Sequence, residues 1–422
     1  MKIMVVGGGG REHAIIKKLK ENPSVNTVYA LPGNGGMEGD AICVGISATD
    51  IDGIVDFALK TSIDFAVVAP DDPLCLGAVD RLEDEGIPCF GPRACAAIIE
   101  GSKVFSKNLM KKYNIPTARY EVFDNPSDAL RYLENCPLPT VIKADGLALG
   151  KGVIIANTRD EAYDAVRSIM QDKIFGKSGN NIVIEEFLSG PEVSVLAFTD
   201  GKTLVPMVSS MDHKRALDGN LGLNTGGMGT VAPNPYYTKS VAEECYKKIF
   251  IPTVNAMNSE GRTFKGCLYF GLMITDDGPK VIEYNCRFGD PETQVVLPLL
   301  KTDLLEIMQA VSEERLSDIS VEFSDDYACC VIGASEGYPQ KYQSGNEITV
   351  SGELDAQLYF AGAKMIDGKL CNSGGRVLGV SAVGDTLGDA IDKAYREIKK
   401  VSFSNMYYRK DIGKTALDAV NK

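Results

Sequence analysis

The sequence predicts a multidomain protein of the α/β and α+β classes. An N-terminal parallel sheet precedes a central domain and a smaller C-terminal domain of mixed β/α structure. Apolar runs alternate with helically spaced segments over residues 2–92, strands joined by glycine-rich turns follow, and short strands with one helical segment fill residues 327–422. Alternation of strand and helix is typical of a parallel sheet with helices on both faces. We expect domains at residues 1–102, 103–326 and 327–422.

The composition favours a folded enzyme-sized protein and excludes several other classes. Its 422 residues are 44% apolar and 24% charged, which disfavours disorder and coiled coil. A net charge of −13 disfavours nucleic acid, so we expect small-molecule partners. The longest apolar stretch, Cys267 to Thr275, is too short to cross a membrane. The 11 cysteines include no C-x-x-C pair, and with no apparent signal peptide we expect a cytoplasmic protein with reduced thiols.

In the first domain, a glycine-rich turn follows the first strand. The predicted strands are 3–6, 27–31, 65–69 and 88–90, and the predicted helices are 12–21, 51–60 and 73–85. Ligands of such a Rossmann-like sheet bind where strands end, and Gly7 to Gly10 lie there. The spacing fails the dinucleotide fingerprint, because Glu12 or His13 takes the place of the last glycine. Gly9, Gly10 and Arg11 could still bind one phosphate or carboxylate at a helix start. The alternative is a turn that only packs helix against strand.

The next segment forms a small mixed module with a lysine- and glycine-rich hairpin. Its predicted strands are 120–123, 140–145, 152–156 and 181–188, and its predicted helices are 126–135 and 158–171. Lys143 lies in the second of these strands, and Gly146, Gly150, Lys151 and Gly152 follow it. Such a hairpin can fold its N–H groups over a polyphosphate. It is not a P-loop, because glycine rather than Ser or Thr follows the second lysine. The alternative is a solvent-exposed turn.

Two adjacent carboxylates, Glu185 and Glu186, lie in the last predicted strand of this module. Carboxylates beside a nucleotide pocket can accept hydrogen bonds from an adenine amino group and from ribose hydroxyls. The alternative is a sheet edge that charge keeps from aggregating.

A polar strand end at residues 280–292 is the most informative feature. Strand periodicity places Glu283, Asn285 and Arg287 on one face, with Ile282, Tyr284 and Cys286 on the core face. A carboxylate and an amide oxygen two residues apart are ligands suited to Mg²⁺ (or Mn²⁺), which takes its other ligands from water and phosphates. Arg287 could then bind an oxyanion. The alternative is a structural Glu283–Arg287 salt bridge.

A charged cluster and a flexible turn lie between these features. Asp212, His213 and Lys214 come first, and Gly226 and Gly227 follow in the turn. Together they are suited to binding carboxylate and phosphate groups. His213 could serve as a general base, or as a hydrogen-bonded strut.

Several strings, in order along the whole chain, resemble the phosphoribosylamine-glycine ligases of purine biosynthesis, within the ATP-grasp superfamily. They are Gly-Gly-Arg-Glu-His (9–13), Pro-Gly-Asn (32–34), Phe-Gly-Pro (90–92), Glu-Gly-Ser-Lys (100–103), Ile-Lys-Ala-Asp-Gly-Leu-Ala (142–148), Asp-His-Lys-Arg (212–215), Asn-Thr-Gly-Gly-Met-Gly (224–229) and Asn-Cys-Arg-Phe-Gly-Asp-Pro-Glu-Thr-Gln (285–294).

The resemblance implies an ATP-grasp core with a mobile lid at about residues 120–188. It also implies that ATP phosphorylates the carboxylate of glycine, and that the amine of 5-phosphoribosylamine attacks the acyl phosphate. By the family pattern, Lys103 and Lys143 bind the ATP phosphates, Glu185 and the backbone near Leu188 read adenine, and Glu192 takes the ribose hydroxyls. Glu283 and Asn285 bind the metal. Asp212, Lys214 and Arg287 are the catalytic candidates, and Asp290 joins the substrate-binding residues.

Two features differ from the family pattern, and other functions stay open. Tyr269 to Met273 carries no acidic metal ligand, so Glu283 would have to bridge two ions if two bind, and Gly8 stands where these ligases often have Asn. Gly374 to Arg376 lies in a C-terminal turn, and we expect this turn to shape its own loop rather than to reach the site.

Two alternative functions stay open. Another ATP-grasp ligase, of the purine or biotin-dependent carboxylase type, is one alternative. A nucleotide-binding regulator without turnover is another. We expect a monomer or weak dimer.

Overall fold

The N-terminal part of the computed structural model, which describes residues 1–148 and 152–421, is built on a parallel sheet, as predicted. Its strands run in the order β3-β2-β1-β4-β5. The strands are β1 (Lys2–Gly7), β2 (Thr27–Pro32), β3 (Ile42–Cys43), β4 (Phe65–Val68) and β5 (Cys89–Phe90), and the helices are α1 (Gly10–Leu19), α2 (Ile51–Thr61), α3 (Asp71–Cys75), α4 (Ala78–Asp84) and α5 (Ala94–Gly101). The single helix predicted over 73–85 is two helices, because Gly77 adopts φ +84° between them.

Helix α6 (Lys103–Lys112) leads into the predicted small module, an antiparallel sheet in the order β6-β9-β7-β8. Its elements are β6 (Tyr120–Phe123), α7 (Pro126–Leu133), β7 (Thr140–Ala144), β8 (Val153–Ala156), α8 (Arg159–Val166) and β9 (Ile182–Glu186). The two helices bury Ala129, Leu133 and Val166 in one cluster with Ile142 and Ile184 of the sheet. Strand β9 lies inside the sheet, so the sheet-edge interpretation of Glu185 and Glu186 is wrong.

The central part is organised around a four-stranded antiparallel sheet in the order β11-β10-β16-β17. Its elements are β10 (Glu192–Thr199), β11 (Leu204–Pro206), β12 (Met211–Asp212), β13 (Arg215–Leu217), β14 (Leu221–Asn224), β15 (Gly229–Ala232), α9 (Lys239–Cys245), α10 (Ile251–Ser259), β16 (Gly266–Thr275), β17 (Gly278–Asn285), α11 (Thr293–Leu299) and α12 (Leu304–Ser312). Strands β13 and β14 form a separate hairpin. One apolar cluster joins Leu74 of the first domain to Phe250 and Phe270 here, so the two parts share a core.

The C-terminal sheet draws on two parts of the chain. It runs β12-β15-β18-β23-β20, with β25 on β18, so two of its strands come from residues 211–232. The later elements are β18 (Tyr327–Ser335), β19 (Thr349–Val350), β20 (Gln357–Phe360), β21 (Ala363–Ile366), β22 (Lys369–Asn372), β23 (Arg376–Gly384), α13 (Leu387–Ile398), β24 (Val401–Ser402), β25 (Met406–Tyr407) and α14 (Lys414–Val420). The sequence predicted a single helix here and missed α14. Across residues 1–148 and 152–421, every helix is too short or too polar to cross a bilayer.

Candidate active site

A cavity of about 910 Å³ lies where the small module, the central sheet and helices α5 and α6 meet. Most of the predicted site residues line it. They are Lys103, Lys143, Gly152, Glu185, Glu186, Leu188, Glu192, Asp212, Lys214, Gly226, Glu283, Asn285, Arg287 and Asp290. The acid and amide at 283 and 285 therefore share one space with the two predicted phosphate-binding lysines. Gly150 and Lys151 lie outside the described residues, and Gly146 lies behind the wall, where its carbonyl accepts from Lys103 Nζ at 3.1 Å.

A cationic corner of the cavity joins α6 to the small module. Lys103 begins α6, and burial lowers the pKa of its ammonium group. Lys143 Nζ donates to the carbonyl of Ile282 at 3.0 Å. Asp145, just after β7, accepts from Ser102 Oγ (2.8 Å) and the N–H of Val104 (2.9 Å) at the start of α6. The start of the glycine-rich turn is thereby fixed to the helix that carries Lys103.

Glu185 lies deep in this corner, where it contacts two lysines. Its carboxylate is 4% exposed and lies 2.9 Å from Lys107 Nζ and 3.0 Å from Lys143 Nζ. Both oxygens of the Glu185 carboxylate face ammonium groups, so its predicted role in reading adenine stays a prediction and would require the carboxylate to exchange partners. The sequence analysis missed Lys107, although it lies one helical turn after Lys103 and thus on the same face of α6. Burial lowers the pKa of Lys107 to about 8.

The neighbouring Glu186 faces away from Glu185. Its carboxylate accepts from the backbone N–H of Arg119 at 2.9 Å and from Arg119 Nε at 2.7 Å. Residues 186–188 line the cavity, and adenine binding by their backbone stays a prediction. Glu192, the predicted ribose partner, has an ion pair with Lys214 at 3.0 Å across the cavity mouth.

Glu283 and Asn285 meet the requirements of a divalent cation site. Burial alone raises the pKa of Glu283, but Lys214, Lys143 and Lys103 outweigh it and hold the pKa below its usual value, so the carboxylate is ionised. The hydrogen bonds around the Asn285 amide are satisfied when the amide is oriented so that its nitrogen donates to Glu100 Oε1 (3.0 Å) and to the carbonyl of Tyr284 (3.1 Å). Its oxygen is then available for a cation.

The remaining ligands of such a cation would have to come from elsewhere. In the described residues, 1–148 and 152–421, no group of three or more His, Cys, Asp or Glu is arranged to hold a metal. One carboxylate and one amide oxygen completed by phosphate oxygens and water is the arrangement that Mg²⁺ commonly adopts. The donor set therefore fits a cation that arrives with a nucleotide.

The alternation predicted for this strand is broken at Ile282. A bulge pairs Gly271 with Glu283 and Leu272 with Val281, so Ile282 has no partner and lines the cavity. The assignment of Ile282 to the core face is therefore wrong. Tyr284 and Cys286 are buried as predicted.

Arg287 pairs with an unpredicted residue, Glu100 of helix α5. Its Nη2 lies 2.7 Å from Glu100 Oε1, and its Nη1 donates to the carbonyl of Phe288 at 3.3 Å. Its Nε is buried without a partner. The alternative of a Glu283–Arg287 salt bridge is contradicted by this pairing. A guanidinium with one N–H unsatisfied at a cavity wall is suited to an anionic ligand.

On the opposite wall, Asp212 and the turn at Gly226 and Gly227 pack against Arg376 of β23. Arg376 Nη1 donates to the carbonyls of Gly226 (2.6 Å) and Asp290 (2.7 Å). Arg376 thereby contacts two residues that line the cavity, so it does more than shape its own loop, contrary to expectation. Gly227 has φ +112°, and a Cβ there would lie 2.6 Å from Asp212 Oδ1, so only glycine fits.

Burial and neighbouring charges together set the protonation of the groups on this wall. Desolvation and the nearby Glu292 raise the pKa of Asp212 well above its usual value. The ion pair with Glu192 outweighs burial and raises the pKa of Lys214. Asp290 has the opposite shift, because Arg376 and Arg11 lower its pKa despite burial. The wall thus combines a carboxyl group that takes up a proton readily with a firmly charged ammonium group.

His213 is a strut rather than a general base. Its Nε2 accepts the N–H of Gly413 at 3.1 Å, and its Nδ1 lies 3.1 Å from the carbonyl of Gly229, so both ring nitrogens are occupied. Burial and the charge of Arg409 lower its pKa to about 4. His213 thereby fastens the C-terminal segment to the central domain.

The hairpin at residues 215–224 borders the cavity and is tied to the same C-terminal segment. Arg409, 1% exposed, donates from Nη1 to the carbonyl of Arg215 (3.1 Å) and from Nη2 to Asn220 Oδ1 (3.1 Å). Asp411 accepts the N–H of Gly219 at 2.8 Å and pairs with Arg409. Residues far along the chain thus determine where this wall of the cavity lies.

The turn at Gly9, Gly10 and Arg11 does not line the cavity. The N–H of Gly9 donates to Glu12 Oε2 at 2.6 Å, and Arg11 lies 2.6 Å from Glu12 Oε1 and donates to the carbonyl of Phe288. Binding of a substrate phosphate at this turn stays a prediction, and it would require these groups to exchange partners. A Cβ at Gly8 would lie 2.4 Å from the carbonyl oxygen of Gly33, which accounts for glycine at that position.

Three family models match the chain in succession. They describe phosphoribosylglycinamide synthetase: its N domain matches residues 1–100, its ATP-grasp (A) domain residues 101–293 and its C domain residues 328–415. The chain belongs to the phosphoribosylglycinamide synthetase family. Two relatives are similar to this chain over almost their full length. A phosphoribosylamine–glycine ligase of Caldanaerobacter subterraneus subsp. tengcongensis is 49% identical, over 98% of this chain and 99% of that protein. One of Clostridium acetobutylicum is 46% identical, over 98% of this chain and 100% of that protein.

Solved structures agree with this membership of the synthetase family. A phosphoribosylamine–glycine ligase from Thermotoga maritima superposes with a TM-score of 0.85 at 34% identity, covering 98% of this chain and 100% of that one. The biotin carboxylase domain of a 2-oxoglutarate carboxylase from Hydrogenobacter thermophilus, solved with MgADP and bicarbonate, gives a TM-score of 0.74 at 17% identity, covering 96% of this chain and 91% of that one. At that identity the second likeness concerns the fold alone. The ATP-grasp architecture implied by the sequence is confirmed.

Proposed function

We propose that this chain joins glycine to 5-phosphoribosylamine at the expense of ATP, giving glycinamide ribonucleotide, ADP and phosphate through a glycyl phosphate intermediate. The observation that carries the proposal is the convergence of Lys103, Lys143, Glu283, Asn285 and Arg287 in one cavity. Membership of the family, with relatives named phosphoribosylamine–glycine ligase over the full chain, supplies the substrates.

The first step transfers the γ-phosphoryl group of ATP to the carboxylate of glycine. Lys103 and Lys143 would neutralise the phosphates, while Lys107 shares the Glu185 carboxylate with Lys143 and so offsets part of its negative charge. Glu283 and Asn285 would hold Mg²⁺ or Mn²⁺, whose charge would offset the negative charge that develops during phosphoryl transfer. Arg287, whose side chain is 18% exposed and lines the cavity, is suited to orient the glycine carboxylate.

The second step is attack of the phosphoribosylamine amine on the acyl phosphate, with phosphate leaving. Asp212, with its raised pKa, and Lys214 line the side of the cavity from which the amine would approach. A carboxyl group of raised pKa can take a proton from the amine as the amide forms. Gly226, Gly227 and Asp290, braced by Arg376, would hold the phosphoribosyl group. The glycine-rich turn after Lys143 would close over the nucleotide and exclude water from the acyl phosphate.

A coupled assay of ADP release tests the proposal. Purified protein with ATP and Mg²⁺ should release ADP only when glycine and phosphoribosylamine are both present. Release with bicarbonate instead of glycine would favour a carboxylase-type reaction. Absence of turnover with every carboxylate, together with tight ATP binding, would favour a nucleotide-binding regulator.

We further infer a cytoplasmic enzyme that acts as a monomer or weak dimer, with domains at 1–102, 103–326 and 327–422 and a lid at about 120–188. Light scattering during size-exclusion chromatography checks the oligomeric state. Limited proteolysis, with and without ATP, checks the lid, because nucleotide binding should protect the turn after Lys143 from cleavage.

A further inference from the structure

We propose that Glu100 is a positioning residue that orients both a metal ligand, Asn285, and the substrate-binding Arg287. The inference rests on the proposed function and extends it to a residue outside the predicted site. Glu100 lies on α5, is 8% exposed and forms part of the cavity wall.

One carboxylate serves three consecutive residues. Glu100 Oε2 accepts the backbone N–H of Cys286 at 2.7 Å. Glu100 Oε1 lies 2.7 Å from Arg287 Nη2, and it lies 3.0 Å from the Asn285 amide nitrogen when the amide is oriented to satisfy its hydrogen bonds. The point of contact is the end of β17, whose last residue paired with β16 is Asn285. Glu100 therefore binds the chain where the sheet no longer supports it.

The orientation of the Asn285 amide depends on this contact. A carboxylate accepts hydrogen bonds and cannot donate them when ionised, so it selects the NH₂ side of the amide. The amide oxygen, the atom that a hard cation requires, then turns away from Glu100. A neutral side chain at position 100 would remove this selection, because either end of the amide could then face it.

The Arg287 guanidinium is held by the same carboxylate. Its Nη2 is fixed by Glu100 and its Nη1 by the carbonyl of Phe288, which leaves Nε as the unpartnered donor. Because the guanidinium is planar, fixing two nitrogens fixes the direction of the third. Loss of Glu100 would free the Arg287 guanidinium to rotate, and the guanidinium would then be misplaced for orienting glycine.

The position of Glu100 in the chain connects these groups to the phosphate corner. Lys103 follows Glu100 by three residues, across the junction between α5 and α6. Asp145 fixes the start of α6. The short segment from Glu100 to Lys103 thus sets the spacing between the cation ligands and the lysine that binds phosphate.

The decisive measurement is Mn²⁺ binding, followed by electron paramagnetic resonance, to protein saturated with ADP. In Glu100→Gln the half-saturating Mn²⁺ concentration should rise about tenfold or more, the usual cost of removing a group that orients a metal ligand. The KM for glycine should rise with it. ADP affinity without metal, measured by equilibrium dialysis, should stay within about twofold, because the lysines remain in place. Glu85→Gln, at an exposed glutamate of the same domain, is the matched control and should change none of these quantities.

A merely structural role gives a different pattern. It would lower the thermal midpoint and weaken metal-free ADP binding together with Mn²⁺ binding, and that result would overturn the proposal. So would Mn²⁺ binding and glycine KM equal to those of the parent protein. If Glu100→Gln does not fold, Glu100→Asp keeps the charge one methylene further away and should show the same selective loss. The Mn²⁺ result is independent of turnover, so inactivity of the parent protein with glycine would reject the proposed function and leave this test intact.

Discussion

Lys107 and Glu185 form an ion pair of 2.9 Å that is almost wholly removed from solvent, with 2% and 4% of the side chains exposed. Lys107 also donates to Thr117 Oγ1 at 2.7 Å, and Thr117 donates to the carbonyl of Val281. The pair thereby links α6, β9 and β17 on the floor of the cavity. Glu185 is shared between Lys107 and Lys143, so the position of Lys143 depends on Lys107.

Lys107→Met should destabilise the protein and weaken ADP binding. Removing one partner of a buried pair leaves Glu185 with a single cation, at a cost of about 3–5 kcal/mol. Lys143 would then bind Glu185 more closely and phosphate less well. Thermal unfolding and equilibrium dialysis with ADP measure the two effects, with Lys111→Met on the exposed side of the same helix as the control. Unchanged ADP affinity would show that Lys107 contributes to packing only.

Lys143→Ala should lower ADP affinity about 10- to 100-fold, the range expected for loss of one charge-assisted hydrogen bond. Stability should change less than in Lys107→Met, because Lys107 still neutralises Glu185. Lys177→Ala, an exposed position in the same small module, controls for lost surface charge. If the Lys143 variant binds ADP as the parent does, Lys143 is not a phosphate ligand.

Glu283→Gln should reduce turnover by about 100-fold or more while the protein stays folded, since metal stabilisation of phosphoryl transfer supplies several kcal/mol. The substitution keeps the volume of the side chain and removes the charge that three lysines stabilise. Steady-state rates across a Mg²⁺ titration, with the thermal midpoint, test it. Asp276→Asn, exposed at the β16–β17 turn, should behave as the parent protein. An active Glu283→Gln variant would contradict the metal assignment.

Arg376→Met should raise the KM for phosphoribosylamine about tenfold and leave ADP affinity unchanged, because hydrogen bonds to a charged group are worth about 1.5–3 kcal/mol. Arg376 braces Gly226 and Asp290 on the acceptor wall and lies away from the lysine corner. Lys369→Met, at an exposed ion pair of the C-terminal domain, is the control. A variant that loses ADP binding instead would place Arg376 in nucleotide binding.

His213 should contribute to acid unfolding between pH 6.5 and 4. Its pKa falls from an ordinary 6.5 to about 4 in the folded protein, so the unfolded chain binds the proton more readily in that interval. The stabilisation is complete above pH 6.5 and is lost as the pH falls through 4, to a total of about 3 kcal/mol. His213→Gln, whose amide can replace both hydrogen bonds, should lose this part of the pH dependence. Thermal midpoints of both proteins at steps from pH 7 to 4 measure it, and parallel curves would contradict the prediction.

Local patterns in the sequence predicted the N-terminal sheet, the small module and the shared position of Glu283 and Asn285. These features depend on spacing within one strand or one hairpin. The bulge at Ile282 escaped prediction, because it depends on the register with β16 rather than on the sequence of β17. Lys107 was open to prediction, since it follows Lys103 by one helical turn.

Long-range partners were beyond the reach of sequence patterns. Arg287 pairs with Glu100, and Glu185 pairs with Lys107. In each pair the two residues are far apart in the chain. The addition of β12 and β15 to the C-terminal sheet has the same cause. Arg376 contacts residues that line the cavity only because β23 lies in that shared sheet. A single sequence carries no direct record of such pairings.

The ties from Arg409, Asp411 and Gly413 to the central domain bear on how this protein can be dissected. A recombinant fragment that ends near residue 326 would retain every lysine of the phosphate corner. It would lack the groups that hold the hairpin at residues 215–224 in place. The nucleotide affinity of such a truncated protein would therefore be lower than that of the intact chain. Ligand screening or crystallisation requires the polypeptide through at least Gly413.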